Sequence, residues 1–159
     1  MPSRSELQAA IEQARQRFDA ATQGVDSATL EGKAVCGVWT SRDVAGHVAD
    51  WNGEFIAAIE HALGGPPPAG QPIEDGELYN TTKAGARASQ PWDEAKADLD
   101  ASFDQLASLL ERISDDQLSA PATLPWDVEA TVAELIADAA GHAGEHVADL
   151  EANLRAMAA

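Results

Sequence analysis

The chain has 159 residues and a mass of 16.7 kDa, with 27 acidic against 10 basic side chains, a net charge of −17 and a pI near 4.3. That balance argues against binding nucleic-acid phosphates or anionic membrane surfaces, because both tasks need clustered Lys and Arg. The single cysteine, Cys36, excludes an internal disulfide and a cysteine-rich zinc site, and a chain rich in Ala with only 5% aromatics predicts helix.

The first predicted element is a helix from about Ser3 to about Gln23. Ser3 and Glu6 form a capping box at its start, and Leu7, Ile11, Ala14, Phe18, Ala21 and Val25 recur in steps of four and three. The second helix opens with Thr40 as N-cap, Asp43 as the returning carboxylate, and Trp39 and Val44 as a hydrophobic staple. Its inward face reads Val44, Val48, Trp51, Phe55, Ile59 and Ala62, and Gly64-Gly65 ends it. Residues 64–77 are Pro- and Gly-rich and read as a surface connection or lid. A short helix over 77–88 carries Tyr79 and Asn80. Pro91 sits near the start of a longer helix, with Trp92, Ala95, Leu99, Phe103, Leu106, Leu110 and Ile113 facing in. Residues 114–130 read as irregular, and no strand-like run is evident. Thr131 and Glu134 open the last helix, whose apolar set is Val132, Leu135, Ile136, Ala139, Ala143, Val147, Leu150, Leu154 and Met157.

Four main helices with apolar stripes predict an all-α four-helix bundle, with residues 1–159 as one domain. No stretch reaches the ~20 apolar residues of a membrane span. The N-terminus lacks the basic start and apolar middle of a secretory signal, so the expected location is the cytoplasm.

Chemistry concentrates on the histidines. His142 and His146 are four apart on the last helix, which puts both rings on one face a turn apart. The helical HExxH zinc motif uses this spacing, but Ala143-Gly144-Glu145 leaves its general-base Glu out of place. At ~100° per residue both rings lie at the edge of the apolar stripe, with Asp138, Glu145 and Asp149 on their other side. His47 repeats the arrangement on the second helix, between the apolar stripe and the flank of Asp43, Asp50 and Glu54. If the two helices adjoin, three imidazoles converge at the mouth of the bundle, with carboxylates to orient them. His61 lies roughly 21 Å further along the second helix and reads as a rim histidine. Trp51, one turn after His47, reads as a core aromatic able to wall a pocket, while Trp126 reads as loop packing. Cys36 reads as an incidental thiol, with only Lys33 nearby to lower its pKa.

The run Trp39-Thr40-Ser41-Arg42-Asp43-Val44-Ala45-Gly46-His47-Val48-Ala49-Asp50-Trp51 resembles the second-helix signature of the DinB-like superfamily. That group includes the N-terminal domain of mycothiol-dependent maleylpyruvate isomerase. Tyr79-Asn80 resembles the family's Asn-containing segment before the third helix. Pro125-Trp126, Thr131 to Ile136 and His142-Ala143-Gly144-Glu145-His146 resemble its closing helix. The resemblance implies an up-down-down-up bundle, expected as a homodimer. It also implies a divalent metal on His47, His142 and His146. Imidazole ligands suit zinc or nickel, with iron as a further fit.

The activity it implies is thiol-dependent transfer to an electrophilic small molecule, with a low-molecular-weight thiol as cosubstrate. A metal-dependent hydrolase and a non-catalytic sequestering bundle are the alternatives. Glu145, Asp50 and Asp149 are the candidate bases, and Arg42, Trp51 and Asn80 the candidate cofactor contacts. Lys83 and Arg87 join Arg42 as the basic groups available to an anionic thiol.

Overall fold

The computed structural model describes residues 1–158, with side chains described through 154. The order is α1 (Arg4–Thr22), α2 (Ser27–Gly32), β1 (Ala34–Cys36), β2 (Trp39–Thr40), α3 (Ser41–Ala62), α4 (Gly76–Ala86), α5 (Trp92–Arg112), α6 (Asp115–Leu118), β3 (Pro121–Thr123), β4 (Glu129–Thr131) and α7 (Val132–Ala158). The bundle is made of α1, α3, α5 and α7.

Three of its helices start where the sequence places a capping box. Ser3 N–H donates to Glu6 at 2.7 Å, Thr40 N–H to Asp43 at 3.0 Å, and Thr131 N–H to Glu134 at 2.7 Å. Each pair satisfies backbone donors that the first turn leaves orphaned. The start of α5 is different. Pro91 is its N-cap and offers no side-chain acceptor, so Glu31 of α2 reaches across and takes the Trp92 N–H at 2.7 Å.

Cross-helix contacts fix the directions. Along α1 and α5, Arg4 meets Asp115 just past the end of α5, Arg15 meets Asp104, and Asp19 meets Lys96, so the pair is antiparallel. Leu7 and Arg17 of α1 border a groove with Ala137 and Gly144 of α7, and Arg17 pairs with Glu151. Those two helices run parallel. In α3 and α5, Asn52 donates to Ser102 at 2.9 Å, and further along both chains Glu60 and Arg112 share a groove. They are parallel too, which the long connection through α4 permits. Up-down-down-up is therefore the observed topology.

Phe18, Phe55, Phe103, Leu135, Ile136 and Leu150 are fully buried at the centre. Met157, expected to close the α7 stripe, lies outside the residues whose side chains are described. No described helix is long and apolar enough to cross a membrane.

The structure departs from the sequence reading in the connections. The segments expected to be free of strand form two antiparallel hairpins, β1–β2 and β3–β4. Strands of two or three residues are too short to show a period of two, so patterning missed them. Both hairpins matter to the site. The first delivers Trp39 to the start of α3. The second turns through Asp127, whose left-handed φ of 66° brings the chain back beside Trp126.

Candidate metal centre

His47 lies on the second turn of α3, and His142 and His146 lie midway along α7. The antiparallel packing of α3 on α7 turns all three rings to one point. His47 Nε2 lies 3.0 Å from His142 Nε2 and 3.0 Å from His146 Nε2, and the remaining edge is 3.2 Å. His47 is only 8% exposed, and Trp39 covers it with ring centroids 4.6 Å apart. Trp39, expected as a helix staple, thus walls the site as well.

This triangle cannot satisfy itself. A neutral imidazole nitrogen is either a donor or an acceptor. Three such atoms in mutual contact must include at least one matched pair, lone pair against lone pair or proton against proton. Charging the rings is no remedy. Burial first, then the neighbouring His142 and His146, push His47 down to about 3. Burial and then His146 push His142 down to about 4. Burial also lowers His146, against the opposing pull of Asp149 and Glu145. The rings are neutral at physiological pH with their lone pairs available. A cation accepts all three at once. The observed edges also approach the ~3.3 Å expected between ligands of a tetrahedral ion with bonds of ~2.0–2.1 Å. The donor set therefore fits a divalent metal.

The triangle opens onto a cavity of about 490 Å³, within the size range of small-molecule sites. Trp39, Trp51, Phe55 and Trp126 supply its aromatic wall; Asn80, Asp138 and Glu145 supply its polar one. Trp126 stands 6.0 Å from Trp51 and 5.9 Å from Phe55, ring centre to ring centre. Trp51 Nε1–H donates to Asn80 Oδ1 at 2.8 Å. That bond spends the Asn80 carbonyl and leaves its amide donors.

Other expected residues are engaged elsewhere. Both Asp50 oxygens accept from Arg87, at 2.8 and 3.0 Å, and Arg87 also donates to Asp98 and Gln90. Arg42 pairs with Asp43 at 3.0 Å, and Lys83 sits over the Tyr79 ring at 5.5 Å. Asp149 joins Cys36 in a second group that shares His146 with the triangle and whose ligand-type atoms lie within 4.8 Å of one another. Burial, then Asp149, pushes the Cys36 thiol up. Residues 64–77 do not line the metal cavity. Gln71 is tied to Glu54 on α3 at 2.9 and 3.0 Å, and the segment borders a second cavity with His61 and Asp127. Sequence reasoning left Asp138 out of the candidate set. Its position one turn before His142 was the available signal.

The helix α4, which brings Asn80 to the cavity, is pinned to α3 at three points: Asn80 to Trp51, Tyr79 OH to Glu54 at 3.0 Å, and Arg87, just past its end, to Asp50. Gly46 makes room for the last of these. A Cβ there would lie 2.5 Å from Arg87 Cδ. Gly46→Ala is expected to destabilise the wild type by ~1–2 kcal/mol through loss of this ion pair. In an Arg87→Ala background it is expected to stabilise by up to ~1 kcal/mol, the ordinary gain of Ala over Gly in a helix. Urea unfolding of the four variants reads the change of sign.

The DinB superfamily model matches residues 10–150. The chain belongs to the DinB superfamily. No curated protein sequence matches it. Solved structures share the DinB fold at low identity. The mycothiol-dependent maleylpyruvate isomerase is 15% identical with a TM-score of 0.78, over 94% of this chain and 61% of that one. This chain therefore spans about three fifths of the isomerase. The colibactin self-resistance protein ClbS, in complex with a dsDNA, is 17% identical with a TM-score of 0.78, over 96% of both chains. An uncharacterised protein from Escherichia coli UTI89 is 16% identical with a TM-score of 0.78, over 98% of this chain and 95% of that one.

Proposed function

We propose that this DinB protein is a metal-dependent S-transferase, joining a low-molecular-weight thiol to an electrophilic small molecule. The observation that carries the reading is the triangle of Nε2 atoms opening onto an aromatic cavity. A fold shared with a mycothiol-dependent enzyme supports the use of a thiol, and the proposal takes nothing of that enzyme's substrate. His47, His142 and His146 hold the ion, with zinc or nickel as the first choice and iron the next. A divalent ion there supplies Lewis acidity that makes a thiol acidic at neutral pH.

The chain's own groups do the rest. Glu145 takes the thiol proton at a carboxylate oxygen. Asn80 donates an amide N–H to the bound molecule. The sulfur pair forms the new bond to carbon as the leaving group departs with its bonding pair. Asp50 takes a positioning role, holding α4 through Arg87, whereas Asp149 acts on His146 through its charge alone, because no hydrogen bond reaches the buried His146 Nδ1. Nucleic acid has no part in this reading. Arg4, Arg15, Arg17, Arg42, Arg87 and Lys96 are all paired with carboxylates, and the net charge is −17. A cytoplasmic homodimer completes the proposal.

Cobalt substitution tests it. A low-molecular-weight thiol added to the cobalt-loaded protein is expected to produce a sulfur-to-cobalt charge-transfer band. A model electrophile is then consumed only when thiol and metal are both present. Metal uptake without a thiol band would overturn S-transfer and leave hydrolysis or sequestration.

A further inference from the structure

We propose that Cys36, His146 and Asp149 form a second cation site of the zinc class, behind the first, with the His146 ring bridging the two ions. The inference goes beyond the proposed function and gives Cys36, expected as an incidental thiol, a ligand's role.

The donors are already gathered. Cys36 Sγ, a His146 ring nitrogen and an Asp149 carboxylate oxygen lie within 4.8 Å of one another. Thiolate, imidazole and carboxylate are donors that zinc and cobalt take. Tetrahedral bonds of ~2.0–2.3 Å set such donors about 3.5 Å apart, a span that side-chain rotation can close. Neither Cys36 nor Asp149 lines the metal cavity, whereas His146 Nε2 meets the other two rings there. The pair therefore stands behind the ring, on the side of Nδ1. That atom is buried and makes no hydrogen bond. A ring that holds a metal through one nitrogen ordinarily donates from the other. Here the groups behind it are two metal donors beyond hydrogen-bond reach.

The backbone fixes the arrangement. Val35 is buried, and its carbonyl accepts from Asn153 of α7 at 2.7 Å. His146, Asp149 and Asn153 are spaced three and four apart, which puts them on one face of that helix. Cys36 and Trp39 are partners in register across the β1–β2 hairpin. One hairpin thus serves both sides of the ring, with Trp39 on the cavity wall and Cys36 behind. When the second ion enters, the Cys36 Sγ proton and the His146 Nδ1 proton pass to the buffer, and both freed electron pairs go to the metal. Two cations on one ring repel each other, so the second ion is the weaker and exchanges.

Cobalt titration by equilibrium dialysis, with no thiol added, tests this. At saturating free cobalt the wild type is expected to hold about two ions per chain, with a sulfur-to-cobalt charge-transfer band that grows in with the second. Dialysis against metal-free buffer removes that band and the second ion together. Cys36→Ser and Cys36→Ala are expected to hold about one ion and show no band. Asp149→Asn is expected to weaken the second ion at least about tenfold. At saturating cobalt His47→Ala should keep the band. His146→Ala, checked for folding by circular dichroism, should lose both the band and the ion that survives dialysis, the signature of a shared ligand. One ion in the wild type, with or without a band, two ions in Cys36→Ser, or a band that survives His146→Ala overturns the inference. The outcomes separate from those of the proposed function. An added thiol is expected to produce its own band in Cys36→Ser. Failure of that band while the wild type shows the intrinsic one sinks only S-transfer, and the reverse result sinks only the second site.

Discussion

His47→Ala is expected to strip the protein of its metal. The wild type should retain about one ion per chain after dialysis against metal-free buffer, and the variant under about a tenth of that. The loss should exceed the ~10–100-fold that follows removal of a merely orienting partner. His142 and His146 share one helix, so only two of the three nitrogens would remain, both from one side of the ion. The fold should tolerate the change. His47 borders a cavity, so alanine there enlarges an open space without creating a closed void in the core. It also removes the matched nitrogen pair that the metal-free triangle cannot avoid. Circular dichroism and thermal unfolding of the metal-free variant are expected to match the metal-free wild type or improve on it. Full metal content in the variant would show that the three imidazoles are not the binding group.

Legibility in the sequence followed the range of the interaction. Helix starts set by Ser3 and Glu6, Thr40 and Asp43, or Thr131 and Glu134 depend on residues three apart, and each pair is bonded as expected. The alignment of His142 and His146 is likewise a local consequence of helical pitch. Bringing His47 to them needed one non-local assumption, that α3 packs on α7. What stayed hidden depends on partners far away in the chain. Asp50 looked like a free carboxylate on the site flank because Arg87, 37 residues on, cannot be paired with it by spacing. Trp126 looked like loop packing because its place beside Trp51 and Phe55 depends on the Asp127 turn. Glu31 gave no sign of capping α5, since the cue, Pro91 with no acceptor of its own, lies on the other element.

Acid is expected to destabilise the metal-free protein in a window that belongs to the imidazoles. Their folded pKa values are lowered, to about 3 for His47 and about 4 for His142, from an ordinary 6.5. Well above 6.5 neither the folded nor the unfolded chain binds protons at these rings, and stability is flat. As pH falls below that value the unfolded chain takes up protons that the folded one refuses, so stability drops. The drop ends only when the folded rings protonate, near about 4 and about 3. At about pH 4.5 the shifts of His47 and His142 correspond to about 1–2 kcal/mol each, discounted because water reaches both rings. Together the rings can consume much of the ~5–15 kcal/mol that holds a domain folded. Carboxylates do not confuse the upper part of the window. Glu6, Asp26, Asp98 and Glu134 are lowered from 4.5 or 3.8, so the stability they supply is lost only as pH falls below those values. Asp138, raised by burial, has the opposite sign and softens the fall. Urea midpoints for the metal-free protein should therefore stay constant above about pH 7.5 and decline steadily to about pH 4.5. His47→Ala should show a shallower decline. Zinc should hold the midpoint up further into the acid range, because the ion binds only the neutral rings of the folded state. A midpoint that stays level down to about pH 5 would mean the imidazoles are already charged or solvated, and the buried neutral triangle would have to be abandoned.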